Sequence, residues 1–329
     1  MKKVRWAVVG TSNFALEWIA RGVRLGQNAE LTAIVSRDPE RGAQAAAQVG
    51  ATHHYTSIDA IDTSVIDGVF LVLPLVHHAA HAVAAARRGL HVISEKPMAL
   101  SVADCRQMVD AAKAAGVVLA VAQCMEFTAP MVKARELIEQ GAIGEIVSAG
   151  ISASFRAEPD ETWLQRDMLA SGTGALIDMG VHAVDAITRL AGPVRRVSAL
   201  VGSRFAAYAG DVSGTMLLEF ASGAHGTLQA HYSCYQNGLE IQGTHGRIWS
   251  SEWWGREFAG NLALQRGNEI TSFTLPRVNV YVPQIEHVSA CILDGTTPVI
   301  SGERGLANMA VIEAALEAAR RGAAVDVVV

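Results

Sequence analysis

The sequence predicts an α/β protein in which an N-terminal, doubly wound parallel sheet precedes a C-terminal α+β domain built on an open, mainly antiparallel sheet. Three observations carry this. Apolar strands alternate strictly with helical stretches over residues 1–122, the signature of βαβ units. Those strands are continuously apolar rather than alternating, so both faces of their sheet are covered. After residue 123 the rhythm changes to runs of β character that alternate in polarity, such as Thr227-Leu228-Gln229-Ala230-His231. A chain of 329 residues is long for one domain. We therefore expect domains at 1–122 and 123–329.

The elements follow in order. Val4 to Val9 is a strand ending at Gly10, and Phe14 to Gly26 reads as a helix. Leu31 to Val35 is the next strand, and a helix over Pro39 to Val49 is capped by Asp38 and opened by Pro39. Strands at Gly68 to Leu73, His91 to Ser94 and Val117 to Ala122 are separated by helices at His78 to Arg88 and Val102 to Ala115. His53-His54 fall in a solvated loop before Tyr55. In the second half a helix over Pro130 to Gly141 leads to strands at Ile146 to Phe155, Val194 to Val201, Ser213 to Phe220, Ala224 to Tyr232, Leu239 to Gln242, Gly246 to Ser250 and Leu262 to Gln265. Helices at Asp178 to Leu190 and Gly305 to Arg321 complete it.

Composition excludes several classes. A net charge of −5 provides no basic footprint for nucleic acid or anionic lipid. Cys105, Cys124, Cys234 and Cys291 have no metal-type spacing and read as reduced thiols, so no metal site is expected. Residues 68–86 carry no charge, but Pro74, His77, His78 and His81 split them into strand, turn and helix rather than a membrane span. The apolar run before Gly10 is too short for a signal peptide. The expectation is a soluble, cytoplasmic protein.

Two places carry chemistry. Gly10-Thr11-Ser12-Asn13-Phe14-Ala15 follows the first strand and opens a helix, as a degraded dinucleotide fingerprint with Ser12 at the second glycine and Ala15 at the third. The second strand ends in Ser36-Arg37, with Arg41 one turn later, where an acidic residue would grip a ribose 2′-hydroxyl. A hydroxyl and two guanidiniums suit a 2′-phosphate, which favours NADP(H), with NAD(H) as the alternative.

The second place pairs Lys96 with a His and two carboxylates. The chain has five lysines against 22 arginines, so Lys96 in Ser94-Glu95-Lys96-Pro97 goes against the composition. An ammonium can lose its proton when buried; a guanidinium cannot. Asp178, His182 and Asp185 fall at spacings of four and three, on one helix face. A cation for a developing alkoxide, a titratable His and a carboxylate to orient it suit reduction of a ketone or the reverse. His225, His231 and His245 read as structural, and Trp249, Trp253 and Trp254 as core or subunit packing that could alternatively line a sugar pocket.

Together with Pro74-x-x-x-His78, these motifs and Gly174-Ala175-Leu176-Ile177-Asp178-Met179-Gly180-Val181-His182-Ala183-Val184-Asp185 resemble the Gfo/Idh/MocA oxidoreductase family over the whole chain, and within it the 1,5-anhydro-D-fructose reductase subgroup. The resemblance implies a Rossmann domain and a second domain whose open sheet serves homodimers or homotetramers. It implies hydride exchange between a nicotinamide and a carbonyl or secondary alcohol of a sugar or polyol. Lys96 would touch both nicotinamide ribose and substrate oxygen, Asp178 would hold substrate, and His182 would move the proton. Cofactor would also be met by Leu73, Pro74 and His78, by Glu95 and Pro97, by Gln123, and by the aromatic residues Trp163 and Tyr281, the latter ahead of a helix at Pro283 to Leu293. Two departures are expected to line the pocket: Met125-Glu126 where relatives carry basic residues, and Trp163-Leu164 where the subgroup has Trp-Arg, with Arg166 as a substitute. Two alternatives stay open: an inositol- or glucose-type dehydrogenase using NAD, and a nucleotide-binding regulator without catalysis. A further offshoot of the family would cleave glycosides with tightly held NAD.

Overall fold

A computed structural model describes residues 2–157, 174–204 and 211–329. Residues Met1–Cys124 and Asn279–Leu306 form one compact unit, and Met125–Val278 with Ala307–Val329 form the other.

The first unit is a six-stranded sheet in the order β3-β2-β1-β4-β5-β6, with every pairing parallel. Its strands are β1 (Val4–Val9), β2 (Ala29–Val35), β3 (His53–Tyr55), β4 (Gly68–Leu71), β5 (His91–Ser94) and β6 (Leu119–Val121). All four residues of β4 are buried, and three of four in β5, as continuous hydrophobicity requires. A π-helical turn (Ala15–Ala20) runs into α1 (Arg21–Leu25); α2 (Pro39–Val49), α3 (His78–Arg87) and α4 (Val102–Ala115) connect later strands. Helix ends are set locally. The Asp38 carboxylate accepts from Arg41 N at 3.1 Å, Ser101 Oγ accepts from Asp104 N at 3.1 Å, and Gly50 and Gly116 end α2 and α4 in the left-handed region.

Two expectations are corrected here. His53-His54 are exposed as expected, but they lie in β3, a polar edge strand of three residues too short to show a period. The segment 279–306, expected in the second domain, belongs to the first unit. Within it, α7 (Tyr281–Asp294) packs on α1 and the sheet. Trp6 Nε1 donates to Ser289 Oγ at 3.0 Å, and a Cβ on Gly22 would lie 3.0 Å from Ile285 and 3.1 Å from Tyr281. Tyr281 is the first residue of this helix rather than ahead of it.

The second unit carries a ten-stranded, mostly antiparallel sheet. Its strands are β7 (Ile146–Arg156), β8 (Val194–Gly202), β9 (Ser213–Phe220), β10 (His225–His231), β11 (Ser233–Gln236), β12 (Leu239–Gly243), β13 (Gly246–Ser250), β15 (Leu262–Arg266), β16 (Glu269–Phe273) and β18 (Val325–Asp326). Two short strands, β14 (Glu257–Phe258) and β17 (Val278–Asn279), stand outside it. The sheet order is β16-β15-β13-β12-β7-β10-β9-β8-β18, with β7 and β10 parallel at its centre and β11 beside β7. α5 (Ala129–Glu139) precedes the sheet, and a π-helical turn (Leu176–Gly180) leads into α6 (Val181–Ala191) against β7 and β10. The unit division falls within α8 (Gly302–Arg321), after Leu306.

Burial in β9 and β10 alternates strictly. Met216, Leu218, Phe220, Leu228 and Ala230 face inward, while Thr215, Leu217, Thr227 and Gln229 face outward. The period of two thus sends most apolar residues of Thr215 to Phe220 and Thr227 to Tyr232 to the core. The outer face retains Leu200 and Leu217 as exposed apolar side chains.

Candidate active site

Because the first sheet is parallel, the segments after β1, β2, β4, β5 and β6 all leave one edge, where ligands of open α/β sheets bind. These are Gly10-Thr11-Ser12-Asn13-Phe14, Ser36-Arg37, Leu73-Pro74, Glu95-Lys96-Pro97 and Gln123. Gly10 has φ +127°, and a Cβ there would lie 2.2 Å from the Val72 carbonyl oxygen, so no other residue fits this crossing. Ser12, at the second glycine position, caps the helix: its Oγ accepts from Ala15 N at 3.2 Å. Arg41 donates to the Thr11 carbonyl at 3.1 Å, tying α2 to this loop, while Arg37 is exposed at the end of β2. Phe14 packs edge-on to Tyr281 at 5.8 Å, and Trp18 lies 5.9 Å from the same ring.

Lys96 is half-buried, next to a buried Glu95 whose carboxylate accepts from Lys96 N at 3.2 Å; the Lys96–Pro97 peptide is cis. His78 is 1% exposed and its nitrogens lie 2.9 Å from the Pro97 carbonyl and 2.8 Å from the Leu73 carbonyl. Its ring therefore braces the segments after β4 and β5. Burial pushes the imidazole below its ordinary pKa, against the two carbonyls that favour the charged form.

The first unit fits a dinucleotide. Gln123 is 2% exposed, yet neither atom of its carboxamide has a hydrogen-bond partner among the described residues. Buried amides are rarely left so, and a carboxamide or ribose of a nucleotide offers both donor and acceptor. The residues that would hold it are Gly10 to Phe14 at the positive end of the first helix, Ser36, Arg37 and Gln123.

In the second unit Asp178, in the π-helical turn, and His182 and Asp185, on α6, are all buried. Tyr232, one residue past β10, donates its hydroxyl to Asp178 Oδ2 at 2.9 Å. Burial and then the Asp178 charge push the phenol well above its ordinary pKa, so it stays a donor. Asp185 accepts from Asn308 Nδ2 at 2.7 Å. The two carboxylates on this face thus have different partners. Trp254 lies 6.1 Å from the His182 ring, tilted by 36°.

The sequence does not single out Tyr232 and Asn308 as site residues, and Trp254 reads first as packing, with a sugar pocket as the alternative. The alternation through Thr227 to His231 places Tyr232 on the inner face with Leu228 and Ala230, and was the only signal for it. Glu126 corrects an expectation: its carboxylate is held by Arg135 and, at 3.1 Å, by Arg189, bridging α5 and α6 instead of lining a pocket. The tryptophans do not form one cluster. Trp253 is core, Trp254 faces His182, and Trp249 lies under Arg247 at 4.7 Å. Trp163, Leu164 and Arg166 lie outside the described residues. The four cysteines form no disulfide, and among the described residues no helix is long and apolar enough to cross a membrane.

A glycine loop, a brace of buried groups along a parallel sheet edge and a second unit on a mixed sheet define an NAD(P)-binding Rossmann oxidoreductase of two parts. Comparison with known proteins agrees. The family described as "Oxidoreductase family, NAD-binding Rossmann fold" matches residues 4–123, and the Gfo/Idh/MocA C-terminal domain matches residues 131–249. A 1,5-anhydro-D-fructose reductase of Ensifer adhaerens is 27% identical over 98% of each chain, and a D-xylose 1-dehydrogenase (NADP(+)) of Haloferax volcanii is 28% identical over 98% of this chain and 99% of its own. A crystal structure of an aldose-aldose oxidoreductase from Caulobacter crescentus, in complex with glycerol, superposes with a TM-score of 0.91 at 29% identity, covering 99% of this chain and all of that one. The chain belongs to the Gfo/Idh/MocA family, and it is an NAD(P)-dependent oxidoreductase acting on CH–OH groups.

Proposed function

We propose that this enzyme interconverts a carbonyl and a secondary alcohol of a sugar or polyol, with NADP(H) preferred, in the manner of an anhydrofructose reductase. The observation that carries this is the buried Asp178, bonded by Tyr232, with buried His182 four residues on in the same helical segment, titratable groups in an apolar unit that suit a polar ligand. Bound nicotinamide supplies or accepts the hydride. Lys96 places its ammonium against the substrate oxygen, where negative charge develops during reduction. His182 donates the proton to that oxygen, or takes it in the oxidative direction. Asp178, fixed by Tyr232, accepts a substrate hydroxyl.

Ser36 and Arg37 support the cofactor preference, since each guanidinium hydrogen bond to a phosphate contributes roughly 1.5–3 kcal/mol. Discrimination against NADH of about 10- to 100-fold follows. Scanning sugars, deoxysugars, inositols and anhydroketoses by NADPH absorbance tests the reaction. Titrating both nucleotides against Arg37→Ala tests the preference: selective loss of NADPH affinity is expected, and equal losses would overturn it. The outer sheet face with Leu200 and Leu217 is proposed as the surface for a homodimer or homotetramer. Sedimentation at micromolar concentration tests that, and a monomer alone would count against it.

A further inference from the structure

Consecutive residues Trp253 and Trp254 carry the same indole N–H into different surroundings. Trp253 is fully buried and satisfied. Its Nε1 donates to the Ser152 carbonyl at 2.8 Å, and its own carbonyl accepts from Thr128 Oγ1 at 2.9 Å. Those two bonds anchor the segment in the core. Trp254, beside it at 6.5 Å between rings, turns instead toward His182. Its Nε1 is closed to solvent and has no hydrogen-bond partner among the described residues. A buried donor left without an acceptor is costly and calls for an explanation.

We propose that Trp254 determines substrate specificity by donating its indole N–H to a hydroxyl on the carbon next to the reacting one, so that the substrate is an α-hydroxy carbonyl or the corresponding vicinal diol. This rests on the reading of His182 as the group that meets a sugar oxygen. Oxygens on adjacent carbons lie within van der Waals contact of each other. Two side chains whose rings are 6.1 Å apart can take one each. The indole face adds apolar surface for the C–H groups of a sugar, as aromatic side chains with a polar tip do. A site built to bond a hydroxyl rejects the analogue lacking it, because its own polar group is then left unpaired.

The test crosses the enzyme donor with the substrate hydroxyl. Wild type and Trp254→Phe, which keeps a ring and loses the N–H, are assayed with the best substrate of the panel and its analogue deoxygenated at the adjoining carbon; where an aldose is turned over, these are D-glucose and 2-deoxy-D-glucose. Wild type should prefer the parent by about tenfold or more in kcat/KM, the scale of one buried hydrogen bond. In Trp254→Phe the preference should fall to near one, through KM more than kcat, with NADPH affinity unchanged. A preference that survives the substitution would overturn the proposal. If Trp254→Phe does not fold, or wild type turns over no sugar, the indole ¹H–¹⁵N resonance of Trp254 in the wild-type protein decides. A downfield shift on adding D-glucose with NADP⁺, larger than with 2-deoxy-D-glucose, supports the role, and an unmoved resonance overturns it. Absence of turnover alone would sink the proposed reaction and leave this measurement standing.

Discussion

Replacing Tyr232 by Phe removes one hydroxyl and almost nothing else. Tyr232 is 1% exposed, and the ring it leaves has the same shape, so no cavity opens. The loss is the 2.9 Å bond to Asp178, a hydrogen bond to a buried carboxylate. Such bonds to charged groups contribute roughly 1.5–3 kcal/mol, and burial at this site spares the pair from screening by salt. Tyr232→Phe should therefore lower unfolding stability by about 1.5–3 kcal/mol, read from the urea midpoint at unchanged slope. The phenol is pushed well above its ordinary pKa, so it donates at every pH from about 6 to 9 and the stability difference should be flat across that range. If Asp178 holds substrate, a carboxylate freed to rotate should also cost about tenfold in kcat/KM. Wild-type stability together with wild-type turnover would refute the idea that this bond positions Asp178.

Three other outcomes follow from particular contacts. Glu126→Gln removes the charge shared by Arg135 and Arg189; because both arginines are about 30% exposed, the cost should be ~1–3 kcal/mol, below that of a fully buried pair, and thermal unfolding measures it. Asp67 accepts from Arg5 Nε at 2.9 Å and Nη2 at 2.6 Å, which holds its carboxyl below the usual range. That stability is present above the unfolded pKa near 3.9 and lost as pH falls through the lower folded pKa, so Asp67→Asn should cost ~1 kcal/mol at pH 7, with screening allowed for, and progressively less with increasing acidity below that unfolded pKa in urea titrations. Lys96→Ala and His182→Ala should each lower turnover by about 10²-fold or more; if both act on one substrate oxygen, as proposed, the double variant should lose less than the product in steady-state kinetics.

What could be read ahead of the structure was local. The bounds of α2, α4, β5, β9 and β13 follow from caps, glycines and hydrophobic runs within a few residues, and Asp38 and Gly10 do what their types require. The Asp178-His182-Asp185 face was legible from spacing alone. Its partners were not, because Tyr232 is 54 residues from Asp178 and Asn308 is 123 from Asp185, and no periodicity links them. Glu126 reads in sequence as lining the pocket, and the convergence of Arg135 from α5 and Arg189 from α6, which no local pattern announces, makes its burial tolerable. The return of 279–306 to the first unit is equally non-local, resting on contacts such as Trp6 with Ser289, 283 residues apart. The alternation through β9 and β10 was legible, and the pleat turns most of their apolar residues inward.

Hydride transfer to a carbonyl carbon is the central claim, and isotope transfer tests it without an assumption about which side chain acts. NADPH carrying deuterium at both C4 positions is incubated with the enzyme and the carbonyl sugar that the absorbance panel selects, and the product is analysed by mass spectrometry and NMR. The product alcohol should carry one deuterium on the former carbonyl carbon and none elsewhere, formed by wild type and at least about 10²-fold more slowly by His182→Ala. Product that forms with no deuterium at that carbon, or equal rates for the two proteins, would contradict this expectation.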